Sequence, residues 1–269
     1  TKKGSEVRLT VRRMDGSVTV IPIIRDEIKL DDTFAKSAII NGDHKVGYIY
    51  LPEFYVDFAD PNGAKCSEDV AKEIEKLKAE NVEGIIMDLR GNGGGSLPEV
   101  VKMVGLFIED GPVCVVKGRE DKPYQWKDKD KSVLYSGPLT VMVDEFSASA
   151  SEIFAAAIQD YKRGIVIGST STYGKGTVQR NIPLNPESES PVFANRNTED
   201  LGSVKLTLQK FYRVNGGATQ LKGVTPDIVI PDRYEYLKFR EKDNTAALPW
   251  DEIGKADYKT WTSTISNDV

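Results

Sequence analysis

The 269 residues carry 36 Lys and Arg against 41 Asp and Glu, for a net charge of -5, and 39% of them are hydrophobic. That balance gives no basic footprint for nucleic acid, and the apolar content is that of a globular chain rather than a disordered one. Two cysteines without CxxC spacing, Cys66 and Cys114, offer neither a zinc ribbon nor a disulfide scaffold, and one histidine, His44 in the turn-like NGDHK, is too little for a Ser-His-Asp hydrolase or a histidine metal site.

In chain order, EVRLTVR (6–12) and SVTVIPII (17–24) alternate around MDG and predict a β-hairpin. IKLDDTFAKSA (28–38) reads as a polar connector. VGYIYL (46–51) predicts a strand, and CSEDVAKEIEKLKAEN (66–81) an amphipathic helix with Val70, Ile74 and Leu77 on one face. EGIIMDL (83–89) is a near-continuous apolar strand, LPEVVKMVGLFI (97–108) a helix with Pro98 in its first turn, and PVCVV (112–116) a further strand. This alternation predicts right-handed βαβ units around a sheet buried on both faces. GREDKPYQWKDKDKS (118–132) reads as a charged loop, PLTVMV (138–143) as a strand and SEIFAAAIQDY (151–161) as a helix. The pattern then turns β again through SVKLTLQKFYRV (203–214) and ATQLKGV (218–224), with Asn215-Gly216 suited to a tight turn. NPESESPVFANRNTEDLG (185–202) reads as a polar surface loop. No apolar run approaches the roughly 20 residues that cross a bilayer. No signal-peptide pattern opens the chain, which begins at Thr1 and reads as a piece of something longer.

Three stretches carry chemistry. GSTSTYGKGTVQ (168–179) suggests a phosphate-binding loop, but that motif needs four residues before its GK pair, then Ser or Thr, then a helix. Here five residues separate Gly168 from Gly174, Gly176 follows Lys175, and TVQRNIPL reads as a strand, so nucleotide binding is set aside. DLRGNGGGS (88–96) is either a tight strand-to-helix turn without a ligand or a cradle of N–H groups for one anionic oxygen, and the stretch alone does not decide between them. In DEFSASASEIFAAAIQD (144–160), Ser149 and Glu152 form a capping-box pair, and locally the cap is the favoured reading. A serine there also faces the positive end of a helix, which favours a developing alkoxide. Taken together, the glycine turn, the serine and the glycine-flanked Lys175 supply an oxyanion site, a nucleophile and a base without histidine. Lysine serves as a base only when its pKa falls well below its usual value of about 10.4, which burial achieves.

SASASEIFAAAIQD followed by YGKGTVQ, with DLRGNGGG upstream and GVTPDI downstream, resembles the carboxy-terminal processing proteases, peptidase family S41. The resemblance runs over most of the chain, from KGSEVRL through FYRVNGG to ALPWDEI. It implies an α/β fold, a crotonase/ClpP-like ββα spiral protease core with remnant PDZ strands at the N-terminus. The implied domains are residues 1–27 as the last strands of a truncated PDZ domain, 28–232 as the catalytic core and 233–269 as a C-terminal extension. It implies Ser149 as nucleophile, Lys175 as base and Gln179 as the residue that helps hold the lysine. The oxyanion donors become the N–H of Ala150 and of the glycine turn, Gly94 with Gly95 as its neighbour, and Asp160 a structural support.

The implied activity is a serine endopeptidase that processes or degrades proteins from their C-terminal end, without metal or organic cofactor. Its partners would be unfolded or C-terminally exposed protein and peptide substrates, with no nucleic acid and with an adaptor protein or an oligomer left open. The implied location is the periplasm. An extended substrate would pair with an exposed strand edge, and a piece lacking most of its PDZ domain would select substrates poorly. The chain departs from the family in reading STSTY before GKG, one residue longer than the usual Glu-Pro-Thr-Phe type run and without its proline. Four residues of regular strand also span about 13 Å, so a bend is needed for Gln179 to reach Lys175. Two rivals are a non-catalytic peptide-binding scaffold of the same fold and an acyl-CoA enzyme of the crotonase type, which usually needs acidic catalytic residues and an adenine pocket.

Overall fold

The computed structural model of the chain describes residues 3–26, 33–57, 60, 62–185 and 201–262. The chain divides into two compact units, Thr1–Thr33 and Phe34–Val269.

The first unit is the expected hairpin. Strands β1 (Glu6–Arg12) and β2 (Val18–Ile24) pair antiparallel, with Glu6 opposite Ile24 and Arg12 opposite Val18. Asp15 closes the turn by accepting the N–H and hydroxyl of Ser17 at 2.9 and 2.7 Å. Leu9, Val11, Val18, Val20, Ile21, Ile23 and Ile24 are all exposed, so this strand pair encloses no core of its own.

The second unit is mixed α/β. Its elements are β3 (Lys36–Asn41), β4 (Lys45–Tyr50), α1 (Cys66–Ala79), β5 (Gly84–Asp88), α2 (Leu97–Gly105), β6 (Gly111–Gly118), β7 (Tyr124–Asp128), β8 (Leu139–Val143), α3 (Ala150–Asp160), β9 (Ile165–Gly168), β10 (Thr177–Pro183), β11 (Ser203–Tyr212) and β12 (Ile228–Val229). A six-stranded sheet runs β12-β9-β8-β5-β4-β3, parallel except for β3. A four-stranded antiparallel sheet runs β10-β11-β6-β7. The core holds Phe54, Phe107 and Phe154 with the apolar faces of α1 and α2. Helix α3 is buried along nearly its whole length, which explains its alanines: a helix enclosed on all sides has no room for large side chains everywhere. Among the described residues, no helix is long and apolar enough to cross a membrane.

Four sequence expectations change. The connector ends in β3, and the charged loop contains β7. Both are edge strands, paired on one side only and largely solvated, so neither shows the apolar run of a buried strand. Strand β6 leaves the parallel sheet for the antiparallel one, and β8 takes the place beside β5. A strand buried on both faces looks the same in sequence whichever sheet receives it. Residues 218–224 form turns, with a single bridge from Ala218 to Tyr212 instead of a strand. The 215–217 turn does form, with Arg213 N–H donating to the Gly217 carbonyl at 2.9 Å. The reading of 185–202 as a surface loop falls mostly on residues outside the described ones, as does the proposed boundary at residue 27.

Candidate active site

Strand β8 runs into the first site element, the turn before α3. The turn and the first residues of α3 hold three serines, and their environments separate them. Ser147 is fully buried and its hydroxyl donates to the Leu89 carbonyl at 2.8 Å, while Ser151 is fully buried and donates to the Asn92 carbonyl at 2.8 Å. Ser149 is only partly buried and its side chain makes no capping bond. The Ser149 N–H donates to Glu152 Oε2 at 2.8 Å, the reverse half of a capping box. Ser149 also has φ 57° and ψ -111°, a sparsely populated backbone state for a residue with a Cβ. The turn thus presents Ser149 to a cleft of about 220 Å³, which Gly93, Gly95, Ala150, Lys175, Gln179 and Lys205 also line.

The glycine turn lies directly against this serine. A Cβ on Gly94 would stand 2.7 Å from the Ser149 Cβ, and Gly94 and Gly95 have φ of +108° and +139°. The Gly94 N–H donates to Asn92 Oδ1 at 2.9 Å, and the Gly94 carbonyl accepts from Phe54 N–H at 2.9 Å. Carbonyl and N–H of one trans peptide point in opposite directions, so the Gly95 N–H points away from Phe54. Ala150, the first residue of α3, has an N–H with no intrahelical acceptor.

Lys175 sits in a loop held on both sides. Its own N–H donates to Glu152 Oε2 at 3.0 Å and its carbonyl accepts from Thr219 Oγ1 at 3.1 Å. Gly174 has φ +93°, and a Cβ on Gly176 would lie 2.6 Å from the Gln220 backbone nitrogen, so both glycines are needed for this path. The STSTY segment is fixed as well: Thr172 exchanges main-chain and side-chain bonds with Val224, and Tyr173 N–H donates to the Ser147 carbonyl at 3.0 Å. The Lys175 side chain is half-buried. Burial lowers its pKa below the ordinary 10.5, the charge of Lys205 lowers it further, and Glu152 and Glu241 act in the opposite sense. No hydrogen bond joins the Lys175 amine to the Ser149 hydroxyl in this arrangement.

Glu152, which the sequence offered only as half of a capping box, joins these parts. It is fully buried and accepts from Thr172 Oγ1 at 2.6 Å, Gly174 N–H at 2.7 Å, Ser149 N–H at 2.8 Å and Lys175 N–H at 3.0 Å. Burial pushes its pKa up to about 7 against the pull of those four donors. Three of the four contacts are backbone N–H donors, so the cage is matched to a carboxylate, and the Thr172 hydroxyl is the one partner that can also accept a proton. Gln220 is a second unexpected support, accepting the Gly176 N–H at 2.8 Å and donating to Glu241 and the Leu248 carbonyl. Gln220 lies in a turn and carries no periodic signal, and the bonds of Glu152 to Thr172, Gly174 and Lys175 span 20, 22 and 23 residues, too far for spacing to reveal them.

The remaining expected residues are distributed as follows. Gln179 shares the cleft with Lys175, and a β-bulge between Val178 and Gln179 supplies a bend, but its Nε2 donates to Thr207 Oγ1 at 3.4 Å. Asp160, at the far end of α3, pairs bidentately with Arg213 at 2.6 and 3.0 Å and ties the helix to the end of β11. His44 lies on the surface beside Glu83, and both cysteines are buried free thiols whose pKa values burial raises. Among the described residues, no group of three or more His, Cys, Asp or Glu side chains is placed to hold a metal ion.

Residues 45–230 match the model of peptidase family S41. The tail-specific protease of Haemophilus influenzae is 42% identical over 260 residues, covering 96% of this chain and 35% of that protein. The carboxy-terminal processing protease CtpB of Bacillus subtilis is 34% identical over 238 residues, covering 87% of this chain and 44% of that one. Among solved structures, a photosystem II D1 C-terminal processing protease superposes with a TM-score of 0.61 at 21% identity, over 85% of this chain and 56% of the other, a likeness of fold. The chain therefore spans less than half the length of these two curated relatives.

Proposed function

Because the chain belongs to peptidase family S41, we propose that it is the catalytic core of a serine endopeptidase that trims or degrades proteins from their C-terminal end. One observation carries the reading. Of the three serines at the head of α3, only Ser149 lines a cleft, and the same cleft holds a lysine whose burial favours the neutral amine.

In this mechanism the Ser149 hydroxyl attacks the scissile carbonyl while neutral Lys175 takes its proton. Lys175 then gives that proton to the leaving amine; its own freed amine next deprotonates a water that attacks the acyl-enzyme, and this proton returns to the Ser149 oxygen as the ester bond breaks. Charge on the tetrahedral oxygen is met by the Ala150 N–H and by a glycine-turn N–H. Gly95 suits that second role better than Gly94, whose N–H is already engaged by Asn92. Gln179 supports the lysine when substrate closes the cleft. Strand β10 begins two residues after Lys175 and is an edge strand, which supports pairing of an extended substrate along it with loose side-chain demands.

The crotonase/ClpP-like spiral, PDZ strands in the exposed hairpin and a periplasmic location belong to the same reading, and cell fractionation tests the last. The test of function is peptide cleavage by the full-length protein with and without Ser149→Ala. We expect turnover to fall at least about 1000-fold in the variant. Equal turnover would remove the assignment and leave the peptide-binding scaffold in its place.

A further inference from the structure

Asn92 lies in the middle of the glycine turn and is fully buried, yet no step of the reaction above uses it. Its Nδ2 donates to the Leu51 carbonyl at 2.9 Å, just beyond the end of β4. Its Oδ1 accepts the Gly94 N–H at 2.9 Å. Its backbone carbonyl accepts the Ala148 N–H at 3.0 Å and the Ser151 hydroxyl at 2.8 Å, one on each side of Ser149. A single residue therefore ties the sheet to the glycine turn and the glycine turn to the nucleophile turn.

The side chain has a particular consequence for the turn. Gly94 and Gly95 carry no side chains to fix them, and glycine is the residue with most backbone freedom to lose. Two bonds orient Gly94: its N–H to Asn92 and its carbonyl to Phe54. The bond to Phe54 sets the direction of the Gly95 N–H, which shares a planar peptide with the Gly94 carbonyl, while Asn92 fixes the Gly93–Gly94 peptide on the other side of the Gly94 Cα. The Ala150 N–H is fixed separately by the start of α3. We propose that Asn92 is a positioning residue for the oxyanion site, holding Gly94 so that the Gly95 and Ala150 N–H groups converge on the same point of the cleft. The inference rests on the peptidase reading and deepens it. Donors prearranged in this way stabilise charge without reorganising during the reaction, so the carboxamide acts on the transition state more than on the bound substrate.

Asn92→Ala in the full-length protein tests this, because it removes the side-chain bonds and keeps both main-chain bonds to Ala148 and Ser151. The expected result is a fall in kcat of about 100-fold, with KM within about threefold of wild type. A peptide boronic acid, which forms a tetrahedral anion on a serine, should lose affinity by a similar factor. Binding of the uncleaved peptide should differ by less than about threefold between Ser149→Ala and the Ser149→Ala/Asn92→Ala double variant. If Asn92→Ala does not fold, Asn92→Asp serves: in its neutral form the acid can repeat both side-chain contacts, so its activity relative to wild type should rise as pH falls. Wild-type kcat and boronate affinity in the variants would overturn the inference alone. So would an equal loss of peptide and boronate binding, the mark of a merely structural role. A wild-type protein inert to peptide and boronate alike would overturn it together with the peptidase reading.

Discussion

Ser149 and Lys175 come from segments far apart in sequence, and a third residue, Glu152, fixes the backbone of both. Its carboxylate takes four donors and is fully buried, so the balance is narrow: burial opposes the charge and the cage requires it. The pKa of about 7 gives the sign of the pH effect. Because that value lies above the ordinary 4.5, the folded protein takes this proton before the unfolded chain does, so the group's contribution to stability grows as pH falls from about 7 toward 4.5. The same proton turns an acceptor oxygen into a donor among three backbone N–H groups, which loosens their hold and lowers activity. The lysine works in the same direction, since falling pH also charges its amine. Glu152→Gln keeps the shape but replaces one acceptor oxygen with a donor. We expect a loss of about 1–3 kcal/mol in stability and a larger relative loss of activity, measured by chemical unfolding and peptide turnover. Unchanged stability in that variant would show that the cage does not hold the two turns.

At the scale of elements, the loop from Thr172 to Gly176 must pass close to the 218–224 turns before it enters β10. Gly176 marks the closest approach, and its N–H is accepted by Gln220. Gly176→Ala puts a methyl 2.6 Å from the Gln220 backbone nitrogen. We expect it to destabilise the protein by about 1–3 kcal/mol and to displace Lys175, lowering turnover more than stability. The same elements show what the sequence could reveal. Long, strongly patterned segments such as 66–79, 84–88 and 150–160 were legible, because a buried face imposes a period. Edge strands β3 and β7 were not, because solvent relaxes that demand, and the division of strands between two sheets leaves no local trace. Glycine and serine motifs announced where chemistry could lie. They did not show that Ser147 and Ser151 are held by carbonyls, or that Gly94 faces Asn92, because those partners lie 58 and 59 residues away or depend on the turn itself.

The whole second unit includes the C-terminal segment that the sequence set apart as an extension. Arg240 is buried and Glu241 N–H donates to the Tyr173 carbonyl at 3.1 Å. Leu248 and Glu241 hold Gln220, and Trp261 N–H donates to the Tyr161 carbonyl at 2.7 Å. A chain ending at residue 232 keeps Ser149, Lys175 and Gln179 but loses these supports. We expect it to melt at least about 5 °C lower and to lose turnover, read by calorimetry and peptide cleavage. A melting point within about 1 °C of the parent would mean that the segment only decorates the core.

The proposed chemistry depends on the Lys175 amine shedding its charge at working pH. That charge can be read directly by NMR titration of protein labelled with 13C at the lysine ε-carbons, with the Lys175 signal identified by its loss in Lys175→Met. A midpoint clearly below the ordinary 10.5 is expected, in keeping with the lysine's burial. A midpoint at or above 10.5, with and without bound peptide, would contradict that chemistry.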